Sequence, residues 1–136
     1  MGILTKNPEI EIKELIEDLF SSLNSKDSNN MREIFHSKAT FANIGNSNKL
    51  FLRSLDNFLE TTIEAIKKHN IEVRNELEEI IHLNIIDGVV ASAEIRYTMF
   101  MPQSKGFHTG LLHLVNENKK WLFLNWTDRG IEEIEA

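Results

Sequence analysis

Apolar residues recur with the period of a helix in three segments of the first half of the chain. In residues 8–23 they return every three or four positions, and Asn7 is a suitable N-cap for that helix. Residues 31–35 show the same spacing over a shorter stretch and predict a short helix. A second long helix is predicted to begin at Ser54 and to end at Asn70.

Alternation of apolar and polar residues predicts strands in the rest of the chain. Residues 40–43 and 50–52 flank a segment rich in turn-forming residues, which indicates a small hairpin. From residue 71 onwards the alternation continues through four long segments, and Asp87-Gly88 is a strong signal for a tight hairpin turn. The second half of the chain is therefore predicted to form four long antiparallel strands.

The last two predicted strands, residues 107–116 and 121–128, carry apolar side chains on both faces. Such strands are expected where both faces of a sheet are covered. The predicted helices suffice for one face only, so we expect a second copy of the chain to cover the other. The pattern thus predicts a homodimer that forms through the outer face of the sheet.

Composition and charge narrow the class of protein. The 136 residues predict a single domain, residues 1–136, in which 129–136 form a polar C-terminal tail. A net charge of -6 argues against a nucleic-acid partner, and the lack of cysteine excludes disulfides, thiolate metal ligands and a cysteine nucleophile. No segment approaches the ~20 apolar residues of a membrane-spanning helix, and the N-terminus lacks the apolar region of a signal peptide. We expect a cytoplasmic protein without a membrane partner.

The order of the predicted elements resembles the nuclear transport factor 2-like superfamily, which has a cystatin-like α+β cone. The final hairpin, Gly110-Leu-Leu-His-Leu-Val-Asn-Glu-Asn-Lys-Lys-Trp-Leu-Phe-Leu-Asn-Trp126, is similar to the ending of the putative lumazine-binding and polyketide-cyclase-like branches. The resemblance implies a curved antiparallel sheet of four long strands plus a short hairpin, wrapped around two long helices and one short helix. It also implies a pocket inside the cone. The fold carries enzymes and non-enzymes, so it does not decide the chemistry.

Candidate catalytic residues lie on the predicted long strands. Trp126-Thr-Asp128 is similar to a Trp-Arg-Asp segment of the epoxide hydrolase branch, and Arg96 matches the arginine of its partner motif. Thr98 stands where that motif has a second carboxylate, although the hydrolase chemistry uses one carboxylate as base and another as acid. Asp128 could instead pair with an arginine in a purely structural role. Tyr97 is the single tyrosine and could donate a hydrogen bond to a ligand.

The histidines form no metal motif, so neither a metal nor another cofactor is expected. His108 and His113 differ by an odd number and should point to opposite faces of their strand. Of the two we place His113 among the candidate catalytic residues. Aromatic side chains could line an apolar pocket, although as ordinary core they need no ligand. The candidate ligand-binding residues are Phe20, Phe41, Asn43, Phe58, Met99, Trp121, Asn125 and Trp126.

Three functions remain open at this point. The leading hypothesis is a domain that binds a small apolar or heteroaromatic molecule inside a homodimer. The alternative is a cofactor-independent isomerase, dehydratase, cyclase or epoxide hydrolase that uses acid/base chemistry in the same pocket. A protein-interaction module without a pocket is the third possibility.

Overall fold

A computed structural model describes residues 7–134 and shows the predicted α+β order of elements. The helices are α1 (Pro8–Ser25), α2 (Ser28–Ile34) and a third helix with three consecutive segments, Leu55–Phe58, Leu59–Glu64 and Ala65–Lys68, of which the middle one is a π-helix. The strands are β1 (Phe35–Ile44), β2 (Leu50–Ser54), β3 (Arg74–Ile86), β4 (Val90–Met101), β5 (Ser104–Glu117) and β6 (Lys120–Ile134).

Both long helices begin where the sequence predicts, and each has a side-chain cap. The side chain of Asn7 accepts a hydrogen bond from the backbone N–H of Glu9 at 2.8 Å, and Pro8 follows at the first helical position. The hydroxyl of Ser54 accepts from the N–H of Asn57 at 3.2 Å. These bonds satisfy N–H groups that have no partner within the first turn.

The six strands form one curved, open sheet in the order β2-β1-β6-β5-β4-β3. Neighbouring strands are antiparallel except β1 and β6, which run parallel. The sequence indicated neither this parallel pair nor the full length of β6. Predicted to end at Asp128, β6 continues to Ile134 and takes in residues 129–134 of the expected polar tail. Residues 135–136 lie outside the described part.

A bulge in β6 changes which side chains face the helices. The register with β5 shifts between His113 and Leu114, so that Leu124 is the extra residue of β6. Before the bulge Trp121 and Phe123 are buried against the helices, and after it Trp126 is. The apolar side chains on both parities of this strand are therefore partly a consequence of the bulge.

The helices cover the concave face of the sheet and form one hydrophobic core with it. The fully buried positions come from the helices and from the inner strands of the sheet, and they include Ile16, Met31, Leu59, Ile95 and Phe123. Among the described residues, no helix combines the length and apolar character that crossing a membrane requires.

Candidate functional site

A cavity of about 240 Å³ lies between the concave face of the sheet and the third helix. Phe41 and Phe58 are parallel and stacked, with their ring centroids 4.1 Å apart, and the indole of Trp126 lies 6.3 Å and 6.4 Å from these two rings. Residues of the third helix, among them Ile63, and Val73, which precedes β3, complete an apolar wall. Aromatic and aliphatic walls of this kind are typical of small-molecule sites.

Three side chains converge on the carboxylate of Asp128, which is 7% exposed. The hydroxyl of Tyr97 donates to Oδ1 at 2.8 Å, and the Nδ1 of His108 lies 2.6 Å from Oδ2. The amide of Asn43 donates to Oδ2 at 3.4 Å. The two oxygens of this carboxylate thus contact three polar side chains from three different strands.

The chain reaches this arrangement from distant positions. Asp128 on β6 lies beside Asn43 on the parallel neighbour β1, and Tyr97 on β4 lies opposite His108 on β5. Their side chains share the concave face because the bulge in β6 turns Asp128 inwards. Phe20 of α1 supports Tyr97 with an edge-on ring contact at 5.1 Å.

Two glycines make room for the imidazole of His108. Gly130 lies opposite His108 on β6, and a Cβ there would approach Cε1 of the ring to 2.4 Å. A Cβ on Gly106 would approach Nε2 to 2.8 Å. On its other side the imidazole stacks on the ring of Tyr97, with centroids 4.7 Å apart and planes 16° apart. The position of the imidazole is thus constrained by backbone on one side and by an aromatic ring on the other.

The contact with Asp128 indicates which ring nitrogen of His108 carries a proton. Because an ionised carboxylate only accepts, Nδ1 of His108 carries the proton in the contact with Asp128. In the neutral form of this imidazole Nε2 has the lone pair, and Nε2 has no hydrogen-bond partner within residues 7–134. Burial, together with the nearby charge of Asp128 and the hydrogen bond to it, raises the pKa of Tyr97 well above its ordinary value, so this hydroxyl stays protonated.

His108 also borders a second, more polar cavity of about 290 Å³. Asn43, Met99 and His108 line both spaces, while Glu132 and the glycines beside the imidazole line only the second. The imidazole thus stands where an apolar cavity meets a polar one. Among the described residues no three His, Asp or Glu side chains are grouped as metal ligands would be.

Seven of the residues predicted for the site line the first cavity. These are Phe41, Asn43, Phe58, Tyr97, Met99, Trp126 and Asp128. Phe20 and Trp121 are buried in the core outside the lining. Asn125 lies on the other face and donates to Thr40 at 2.9 Å.

Arg96 and His113 do not reach the cavity. The side chain of Arg96 is 55% exposed and lies 3.7 Å and 4.0 Å from the carboxylates of Glu94 and Glu79. His113 is exposed and lines a shallow depression on the outer face. Both have the strand parity opposite to that of the residues facing the helices, which explains their position.

His108 is the site residue that sequence reasoning did not select. Its parity is shared by Gly106, Gly110 and Leu112, which face the helices, whereas His113 belongs to the other set. Glycines two positions before and after a histidine on the buried face were the available signal, since they leave space for a ring to lie on the sheet.

Residues 7–127 match the sequence profile of a family described as putative lumazine-binding. Among curated proteins no significant match was found. A solved structure described as a putative scytalone dehydratase from Novosphingobium aromaticivorans is similar, with a TM-score of 0.78, 12% identity, and coverage of 94% of this chain and 87% of that chain. An NTF2-like protein of unknown function from Shewanella baltica has a TM-score of 0.69 and 20% identity over 93% of this chain and 98% of that one.

A third similar structure is the β subunit of a putative aromatic-ring-hydroxylating dioxygenase, also from Novosphingobium aromaticivorans. Its TM-score is 0.72 at 12% identity, and the match covers 90% of this chain and 88% of that chain. At these identities the likeness concerns the fold, and it confirms the nuclear transport factor 2-like and cystatin-like architecture expected from the sequence.

Proposed function

Because the chain belongs to the putative lumazine-binding family, we propose that it binds a small, ring-containing molecule in the apolar cavity and transfers a proton on it with His108. The family and the similar structures support a ligand-binding or enzyme-like domain. The observation that carries the catalytic part is the contact of His108 with Asp128 and Tyr97 at the edge of an aromatic-lined cavity.

The dimensions of the cavity favour a compact ring compound. A protein cavity of roughly 150 Å³ is able to hold benzene. About 240 Å³ therefore suits one substituted ring or a fused pair of rings. The stacked rings of Phe41 and Phe58 and the indole of Trp126 offer flat surfaces to such a ligand. Heteroaromatic bicycles, the class to which lumazine in the family's description belongs, fit these limits.

His108 is suited to act as a general base. Asp128 holds the proton on Nδ1 and stabilises the imidazolium that forms when Nε2 takes a proton from the ligand. Tyr97 and Asn43 bind the same carboxylate and keep it in place, which makes them positioning residues. The proton on Nε2 can then return to another atom of the ligand, as an isomerisation, a dehydration or a cyclisation requires.

The epoxide hydrolase version of the catalytic hypothesis has less support. It needs a second carboxylate near Asp128, and Thr98 occupies the corresponding position of the motif. Arg96, the other matching residue, is exposed on the opposite face of the sheet. The proposal is therefore limited to proton transfer with His108 and Asp128.

The experiment uses ring compounds with a carbonyl group and measures exchange of their carbon-bound protons in D₂O by NMR. We expect the wild-type protein to accelerate exchange for at least one member of the panel. His108→Gln should lower the rate roughly 100-fold or more, because general bases contribute about 10²–10⁴-fold. His113→Gln is the matched control, because this histidine lies on the opposite face of the sheet from the cavity and its replacement should leave the rate unchanged.

Three results would contradict parts of the proposal. Equal losses in the two histidine variants would exclude His108 as the specific base. Binding without exchange in the wild type, seen as ligand-induced NMR shifts of cavity residues, would leave a binding protein without catalysis. If no ring compound binds, the proposed function as a whole is wrong.

We also infer that two copies of the chain associate through the outer face of the sheet. Phe107, Leu111 and Ile131 are apolar and 44%, 46% and 40% exposed there. A patch of this kind on a sheet face is typical of an isologous interface, in which the same surface serves both copies. Sedimentation equilibrium should give twice the mass of one chain for the wild type and the mass of one chain for Leu111→Glu. A monomeric wild type would refute the homodimer.

A further inference from the structure

The apolar cavity is also lined by two cationic side chains that the proton transfer does not use, Arg53 of β2 and Lys26, which follows α1. Neither forms an ion pair with another described residue, and the side chain of Arg53 contacts the ring of Phe51, with its guanidinium carbon 5.7 Å from the ring centroid. Both residues are half-buried. A partly desolvated cation that forms no ion pair lacks one compensation for its loss of hydration, because desolvation disfavours its charge.

Two acidic groups near Lys26 have other partners. Asp27 and Glu64 share a surface depression with Lys26. Asp27 caps α2 by accepting from the N–H of Asn30, and Glu64 accepts from the hydroxyl of Ser28 at 2.6 Å. Inside the cavity the one carboxylate of the lining is Asp128, which already has its three donors.

The curvature of the sheet brings the two cations to one cavity. Arg53 lies opposite Phe41 in the register of β2 and β1, so both side chains project from the concave face at the β2 edge. Lys26 lies near the β3 edge, because Asn24 and Asn75 exchange hydrogen bonds of 2.8 Å and 2.7 Å there. The cations approach the cavity from opposite edges of the same sheet.

The charge of the lining is opposite in sign to the charge of the protein. The chain has a net charge of -6, whereas the cavity lining has two cations and one carboxylate. We infer that the ring compound bound in the cavity carries a carboxylate, and that Arg53, with Lys26, binds this group. The guanidinium fork of arginine matches the two oxygens of a carboxylate, while the aromatic rings beside it bind the apolar part.

This inference rests on the proposed function for the position of the ring, and the experiment separates the two. The probes are naphthalene carboxylate and its primary amide, which have nearly the same shape and differ in charge. Isothermal titration calorimetry at low ionic strength measures both dissociation constants. For the wild type we expect the carboxylate to bind roughly tenfold tighter than the amide, or more, as one charge-assisted contact implies.

Arg53→Gln should reduce the preference for the carboxylate to less than about threefold while it leaves the affinity for the amide nearly unchanged. Lys26→Asn should reduce it partially. Asparagine is chosen because residue 26 has a φ of 56°, which asparagine tolerates. Arg74→Gln is the matched control: Arg74 also lies over a phenylalanine ring, at 4.3 Å from that of Phe100, but is exposed and does not line the cavity. It should keep the wild-type preference.

Three other results of the calorimetry would each contradict one specific claim. If the wild type binds the acid and the amide equally, the carboxylate site is refuted and the ring-binding function stands. If Arg74→Gln loses the preference as fully as Arg53→Gln, the effect is general electrostatics and the assignment to Arg53 is wrong. If neither probe binds, both the inference and the proposed ring site fail.

Discussion

Replacing Gly130 by alanine should displace His108 and thereby test the geometry of the site. The new Cβ would lie 2.4 Å from Cε1 and 2.6 Å from Nδ1 of the imidazole, so the ring must leave its contact with Asp128. Loss of that charge-assisted hydrogen bond costs about 1.5–3 kcal/mol, and overpacking adds about 1–3 kcal/mol. Reduced chain entropy in the unfolded state offsets about 0.4–1 kcal/mol. We expect the free energy of unfolding in urea to fall by about 1.5–5.5 kcal/mol.

Two comparisons make this result specific to the imidazole. Gly45 has no heavy atom within 4 Å of a built Cβ, so Gly45→Ala should change the free energy of unfolding by less than about 0.5 kcal/mol. In a His108→Ala background the obstacle is gone, and Gly130→Ala should then cost less than about 1 kcal/mol. An equal cost in both backgrounds would refute the steric reasoning. So would a Gly130→Ala variant that keeps the wild-type stability and an unchanged His108 imidazole signal in NMR.

The remaining predictions concern Tyr97, the single tyrosine, whose phenolate absorbance can be followed without interference from another phenol. Because burial and Asp128 raise the pKa of Tyr97, the phenol of the folded protein should ionise at a pH well above 10.0. The phenol of the urea-unfolded chain should ionise near pH 10.0. A midpoint near pH 10.0 for the folded protein would refute the burial of Tyr97. Since the folded pKa is the higher one, the free energy of unfolding should be insensitive to this group below the unfolded pKa and fall as pH rises from there towards the folded pKa. Tyr97→Phe should be less stable than the wild type at neutral pH but lose less stability over that alkaline range, and an equal loss in both proteins would contradict the linkage.

Local patterns were sufficient to predict the helices, the cap at Asn7 and the hairpins. Asn7 and Ser54 cap their helices through contacts within three residues, which the sequence displays directly. The aromatic lining followed from the same patterns, since Phe41 and Phe58 lie on elements whose buried face is visible from their spacing. The prediction of the fold class was correct for these reasons.

The parts of the site that were not predicted depend on features that have no local signal. The parallel contact of β1 with β6 joins Asn43 to Asp128 across 85 positions of sequence. The bulge at Leu124 turns Asp128 to the concave face, although strict alternation would have placed it opposite Trp121. The alternation of side chains along the strand correctly placed His108 and His113 on opposite faces of the sheet. It did not show which of the two histidines faces the helices.

The positions of the acid/base group and of the cations jointly limit how a ligand can lie. Arg53 on β2, Phe41 on β1 and Trp126 on β6 lie side by side across three neighbouring strands. Asp128 lies two positions after Trp126 on β6. The two aromatic residues therefore separate Arg53 from Asp128. A ring that stacks on these aromatics with its carboxylate at Arg53 must direct its far side towards His108. The reacting carbon should then lie across the ring from the carboxylate. Isomers with the reactive group next to the carboxylate should therefore bind with similar affinity but show no His108-dependent proton exchange.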